Sequence, residues 1–179
     1  MKLLSILFFL FAATTMSHAQ QTNFKTAIDF NDYIVGLQDS IGYGIVAFNK
    51  IIENNTLSKS EMNSQALAQL EKIKKTTRSV TAALGKATPY KGGDALKTAA
   101  LNLFNFYYKT MDVEYKQMVV LLGAETYTDA IIKELTEIQE RIVNSEKGYD
   151  FEFGDAQKKF ADLYHFSLDE NQLEKEINK

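Results

Sequence analysis

Apolar residues recur along the chain at steps of three and four positions, the spacing that places them on one face of an α-helix. Four such segments follow one another, separated by short stretches rich in Asn, Gly and Ser. No segment is explained better by the alternation typical of a half-buried β-strand. The pattern predicts an all-α protein, an up-down-up-down four-helix bundle, because helices joined by short loops pack as antiparallel neighbours.

The first two predicted helices have clear boundaries. Helix 1 covers residues 26–53 and contains Gly36, Gly42 and Gly44, each of which weakens a helix by up to ~1 kcal/mol relative to alanine. We expect these glycines to permit close packing against a neighbour, with a kink as the alternative. Helix 2 begins with a capping box at residues 58–61. Its predicted core face is thin and consists of Met62, Ala66, Leu70, Ile73, Thr77, Val80 and Leu84.

The third predicted helix begins at Asp94, an acidic N-cap, and is apolar on two sides. One hypothesis is a surface along Phe106, Val113 and Val120 that binds a protein partner, a second copy of the chain or an apolar ligand. The alternative is that this helix lies centrally or is covered by the fourth, and it is favoured because helices that are apolar all round are usually buried. The main stripe is Leu101, Phe104, Tyr108, Met111, Tyr115, Met118 and Leu122, and the second is Ala99, Phe106, Val113 and Val120.

The fourth predicted helix begins near residue 126 or 128 and continues to about His165, because its apolar period persists through Gly148 and Gly154. It is therefore longer than its partners. The bundle is predicted to cover residues 20–166, and residues 167–179 a short C-terminal helix or a polar tail. The predicted core face is Ile131, Leu135, Ile138, Ile142, Tyr149, Phe153, Ala156, Phe160 and Leu163.

Residues 1–19 have the features of a cleaved secretory signal peptide. Lys2 supplies the positive region, residues 3–13 form an apolar core too short to span a bilayer comfortably, and Ser17-His18-Ala19 provides the cleavage site. An N-terminal membrane anchor is the alternative. We expect a periplasmic or extracellular protein with no transmembrane segment after cleavage. It is not expected to be a lipoprotein, because the sequence has no cysteine to carry the lipid.

The composition removes several kinds of chemistry. The absence of cysteine excludes disulfides, thiolate metal sites and cysteine nucleophiles. A formal charge of −3 without a basic run argues against nucleic-acid binding. After signal cleavage His165 is the one remaining histidine, so a di-metal carboxylate site would lack one of its two histidine ligands. One interpretation of His165 is that it binds haem together with a methionine of a neighbouring helix. The alternative is that it binds no ligand and interacts favourably with the helix dipole at a helix C-terminus. We predict no cofactor, no metal ligand and no catalytic residue.

Two stretches provide a resemblance. They are Asn31-Asp32-Tyr33-Ile34-Val35-Gly36-Leu37-Gln38 in the first helix and Ala156-Gln157-Lys158-Lys159-Phe160-Ala161-Asp162-Leu163-Tyr164-His165-Phe166 at the end of the last. Together they resemble a group of small exported helical-bundle proteins of unknown function, including leptospiral surface-protein-like sequences. The resemblance covers the layout of the mature chain and implies no catalytic residues. Members of such groups are often lipid-anchored, and this chain lacks the necessary cysteine.

The sequence thus predicts an exported, non-enzymatic binding or interaction module that acts through a protein partner or self-association. A bundle that binds haem or a small ligand in an interior cavity is one alternative, the cavity being lined by Phe104, Tyr108, Met111 and Phe153. An enzyme using Glu or Tyr groups in a bundle cleft is another, which charged residues converging on one pocket would support.

Overall fold

The structure, a computed structural model, describes residues 23–168. Within that range it is an all-α bundle with no strand, which confirms the predicted fold class. The predicted signal peptide and residues 169–179 lie outside the described residues. Between residues 23 and 168, no helix combines the length and hydropathy needed to cross a membrane. The helices are α1 (Ala27–Ile52), α2 (Lys59–Lys86), α3 (Asp94–Asp112), α4 (Glu114–Leu122) and α5 (Asp129–Tyr164).

Contacts between helices establish the antiparallel topology. In each neighbouring pair, residues early in one helix contact residues late in the other, as expected for an up-down bundle. α3 and α4 together, here called the α3–α4 segment, run along α2 as one element. The contacts are Gln69 with Gly44 (3.1 Å), Lys97 with Ala87 (2.6 Å), Asn63 with Val119 (3.1 Å), Phe106 with Tyr149 (ring centroids 4.7 Å apart) and Gln157 with Asn31 (2.9 Å).

Reciprocal hydrogen bonds determine where α1 and α2 begin. Thr26 Oγ1 accepts from the Asp29 amide at 3.1 Å, and the Asp29 carboxylate accepts from the Thr26 amide at 2.9 Å. The capping box predicted for α2 is confirmed, because the Ser58 amide donates to Glu61 Oε2 at 2.9 Å and Ser58 Oγ accepts from the Glu61 amide. The hydrogen bonds from Ser58 hold the pKa of the Glu61 carboxyl below its ordinary value.

The start of α3 differs from the prediction. The N-cap is Gly93 rather than Asp94, and no side chain caps this end. A Cβ at position 93 would lie 2.5 Å from the Phe30 ring, so a glycine is needed where the chain enters α3. Asp94 therefore takes the first helical position, where its charge still favours the positive end of the helix dipole.

The predicted third helix is interrupted at Val113, which separates α3 from α4. Val113 has φ −114° and ψ −73°, away from the usual helical values. The turn shifts the phase of the following residues, so Val119 is fully buried whereas Met118 is only partly buried. The element nevertheless keeps its direction, because Asp112 pairs with Lys74 at 2.5 Å before the turn and Val119 accepts from Asn63 after it.

The core contains one stripe from each helix. Every residue of the predicted α2 stripe is buried. α5 is a single helix of 36 residues, which continues through Gly148 and Gly154 as predicted. It ends at the C-cap His165, whose backbone is left-handed. Its core stripe was predicted only in part, since Tyr149 and Leu163 are 37% and 59% exposed. The largest fully buried side chains are Phe30, Phe104, Ile34, Ile41, Leu70, Ile73, Leu84, Leu96, Leu103, Met111, Ile138 and Val119.

Two glycines of α1 provide a matched test of helix packing. A Cβ at Gly44 would lie 2.8 Å from Cγ1 of the buried Ile73, whereas a Cβ at Gly36 would meet no atom within 4 Å. Gly36→Ala should raise the free energy of unfolding by up to ~1 kcal/mol through helix propensity. Gly44→Ala gains the same propensity but overpacks the core, so it should be less stable than Gly36→Ala by ~1–3 kcal/mol. Urea unfolding of both variants measures the difference, and equal stabilities would contradict close packing at Gly44.

Candidate ligand-binding groove

A groove of about 520 Å³ lies between α1 and α2. Its volume is within the range of small-molecule sites, roughly 300–1,000 Å³. Most of its wall is apolar or formed by small side chains, with a few polar groups among them. The lining residues are Tyr33, Gly36, Leu37, Ser40, Ser79, Val80, Ala82, Ala83 and Lys86.

The antiparallel register of α1 and α2 orders these residues from one end of the groove to the other. Because Gly44 contacts Ile73, residues earlier in α1 lie beside residues later in α2. Tyr33 and Lys86 therefore share one end, and Ser40 and Ser79 share the other. The seven residues that separate these ends along each helix correspond to about 10 Å.

Small side chains keep the groove open. The space beside Gly36 is empty, so the expectation of close packing holds for Gly44 and is wrong for Gly36. Ala82 and Ala83 face the same trough from α2. Gly36 therefore lowers helix propensity without the compensation of a closer helix contact, and its effect on the structure is to widen the groove.

The chemistry of the groove changes along its length. The buried Val80 and half-buried Leu37 supply apolar surface. Ser40 Oγ donates to the Gly36 carbonyl at 2.8 Å, so that hydroxyl proton is used within α1. Burial raises the pKa of the Tyr33 phenol, which therefore remains a neutral hydrogen-bond donor at physiological pH. Lys86 adds an exposed positive charge at the same end.

A second polar feature, here called the tyrosine–carboxylate cluster, consists of Gln38, Tyr107, Tyr115, Glu146 and Asp150. The Gln38 side chain hydrogen-bonds Tyr107, whose pKa is raised mainly by burial and then by the charges of Asp150 and Glu146. Burial, followed by the charge of Glu146, raises the pKa of Tyr115 to about 12. Burial, followed by the charge of Asp150, raises the pKa of Glu146. The cluster thus joins α1, the α3–α4 segment and α5.

The residues of the predicted partner surface are separated by the fold. Val113 and Val120 are 58% and 60% exposed. Phe106 is half-buried, packs against the core and stacks on Tyr149. Ala99, the other member of this stripe, is buried. The exposed part of the predicted surface therefore consists of the two valines.

The predicted interior-cavity residues do not converge on one site. Phe104, Met111 and Phe153 pack into the hydrophobic core. Tyr108 instead accepts a hydrogen bond from the Arg78 guanidinium at the side of α2. His165 is exposed at the end of α5, and the described part of the chain holds no group of three or more His, Cys, Asp or Glu side chains able to bind a metal.

Sequence reasoning missed both the groove and the tyrosine–carboxylate cluster. The sequence does contain a sign of the groove, because Gly36 and Ser40 lie four residues apart in α1 and the small residues Ala82 and Ala83 follow each other in α2. That pattern is also compatible with close helix packing, so it does not identify an open space. The cluster had a weaker signal, since tyrosines and carboxylates on amphipathic helices commonly face solvent.

Comparisons of this chain with protein-family models, with curated proteins and with solved structures gave no match.

Glu146 should make stability depend on pH. Its pKa is higher in the folded than in the unfolded chain, so its protonated form stabilises the fold at low pH, and this stabilisation is lost as the pH rises through the folded pKa. Glu146→Gln should therefore raise the free energy of unfolding at pH 8, with the gain shrinking towards zero at low pH. Urea unfolding across pH measures this effect, and Glu140→Gln, an exposed position of α5, controls for the lost charge. If Glu146→Gln raised the free energy of unfolding equally at every pH, a raised pKa of Glu146 in the folded chain would be contradicted.

Proposed function

We propose that the protein is an exported, non-enzymatic binding module that holds a small ligand in the groove between α1 and α2. The observation that carries the proposal is the empty space beside Gly36 on the wall of a ligand-sized groove. An apolar wall interrupted by a few polar groups is the usual composition of small-molecule sites. In this proposal the ligand lies beside α1 rather than in the interior cavity that the sequence suggested.

The polar groups support binding more than catalysis. A tyrosine is protonated near neutral pH at its ordinary pKa, and burial raises the pKa values of Tyr107 and Tyr115 further, so neither serves as a general base there. In the groove, Ser40 donates its proton to a backbone carbonyl of its own helix rather than to a base that would activate it. Within the groove, the Tyr33 phenol and the Lys86 ammonium are the groups that can donate hydrogen bonds to a ligand.

Export is supported by the leader-like pattern of residues 1–19, with its positive start, apolar core and small residues before the cut. A binding module outside the cytoplasm would meet its ligand in the periplasm or the medium.

Native mass spectrometry of the protein purified from its own host tests both parts of the proposal. We expect a chain that begins at Gln20 and carries an added small-molecule mass. A Cβ at position 36 would meet no atom within 4 Å, so Gly36→Leu should fold normally. Because the leucine side chain fills the groove, this variant should no longer carry the added ligand mass. Gly148→Leu is the matched control, because Gly148 also faces open space but lies on α5. A mass retained in Gly36→Leu would contradict the groove, and a chain beginning at Met1 would contradict cleavage.

A second candidate function is self-association through the outer face of the α3–α4 segment. The exposure of two large apolar side chains there, Val113 and Val120, favours it.

Replacing both valines with aspartate tests this second candidate. Val113→Asp with Val120→Asp should leave the circular dichroism unchanged and the melting temperature nearly so, because substitutions at exposed positions usually alter stability by less than about 0.5 kcal/mol. Sedimentation velocity should show a dimer for the wild type and a monomer for the double variant. Val143→Asp on α5, where Val143 is 42% exposed, is the control. An unchanged sedimentation profile, or loss of folding, would argue against the surface.

A further inference from the structure

We infer that the ligand of the groove is an organic anion, with an apolar body about 10 Å long and a carboxylate or similar group held between Tyr33 and Lys86. This inference rests on the proposed function and adds the chemical class and the orientation of the ligand.

The residues in the middle of the groove indicate that the body of the ligand is apolar. Between its two ends the wall consists of Gly36, Leu37, Val80, Ala82 and Ala83, which offer no side-chain hydrogen bond to a ligand. A polar ligand segment placed there would lose water without gaining a partner, whereas an aliphatic or aromatic segment would be stabilised by burial. The seven-residue spacing of the ends sets a length near 10 Å.

The anionic end follows from the charges of the groove. None of the nine lining residues is acidic, and Lys86 is the one cation among them. Within residues 23–168, no carboxylate forms an ion pair with Lys86. Tyr33 adds a neutral phenol, which can donate a hydrogen bond to an anion. An ammonium and a phenolic hydroxyl at one end of an apolar trough favour a carboxylate over a cation or a neutral group.

Lys86 is not required for capping its own helix. Cations near a helix C-terminus commonly interact with the last carbonyls. At the end of α2 that role belongs to Lys97, whose Nζ donates to the Gly85 carbonyl at 3.0 Å and to the Ala87 carbonyl at 2.6 Å. The Lys86 ammonium therefore remains available to a ligand.

The other end of the groove determines orientation. Ser40 and Ser79 are uncharged, and the Ser40 proton is already donated to Gly36. An anionic group at that end would lose the interaction with Lys86. The apolar tail therefore points towards the serines and the charged group towards the lysine.

Isothermal titration calorimetry of the mature chain tests the inference with three probes that carry a ten-carbon chain: decanoate, decan-1-ol and decyltrimethylammonium, each below its micellar concentration or solubility limit. Decanoate should bind most tightly. Lys86→Gln should weaken decanoate about fivefold, the effect of one exposed ion pair, and leave decan-1-ol unchanged. Gly36→Leu should weaken both at least tenfold. Lys147→Gln and Gly148→Leu, at exposed positions of α5, are the matched controls and should bind like the wild type.

The outcomes separate the two levels of the proposal. If all three probes bind alike and Lys86→Gln has no effect while Gly36→Leu still weakens binding, the anionic class is overturned and the groove remains a ligand site. If no probe binds, or if Gly36→Leu binds decanoate like the wild type, the groove itself is overturned. A co-purified polypeptide that Gly36→Leu loses would replace the small anion with a partner protein.

Discussion

The packing of α2 between α1 and the α3–α4 segment is the interaction on which the rest of the structure depends. Leu70, Ile73 and Leu84 are almost completely buried along this helix, and burial of each such side chain contributes about 1.5–3 kcal/mol. Polar contacts then fix the register, with Gln69 on the Gly44 carbonyl on one side and Lys74 on Asp112 on the other. Because α2 is held on both sides, its neighbours have little freedom to slide.

That constraint explains why one pair of helices can be tightly packed and still leave a groove. Gly44 brings α1 against Ile73, and this close contact sets the distance between α1 and α2. The side chains around Gly36 and Ala82 are too small to fill the space at that distance. Dense packing elsewhere prevents the helices from moving together to close it. If the groove binds a ligand as proposed, its fixed walls would lower the entropic cost of binding.

The sequence correctly predicted the features that depend on residues close together within one helix. The Ser58–Glu61 capping box and the α2 stripe depend on spacing within one helix, and both were predicted correctly. The Gly93 N-cap depends on the Phe30 ring, which lies more than sixty residues away in sequence. The turn at Val113 changes which residues of α4 face the core, and no proline or glycine marks it. The groove exists because no atom lies beside Gly36. The spacing of residues within one helix cannot reveal such a gap.

The groove and the tyrosine–carboxylate cluster meet at three consecutive residues of α1. Gly36 and Leu37 line the groove, whereas Gln38 hydrogen-bonds Tyr107 on another side of the same helix. Successive helical residues point about 100° apart, so one short segment can serve both features. Titration of Glu146 changes the electrostatics around Tyr107, and the proposed ligand would contact another side of α1. The two features are chemically separate, but α1 is the physical element through which either would influence the other.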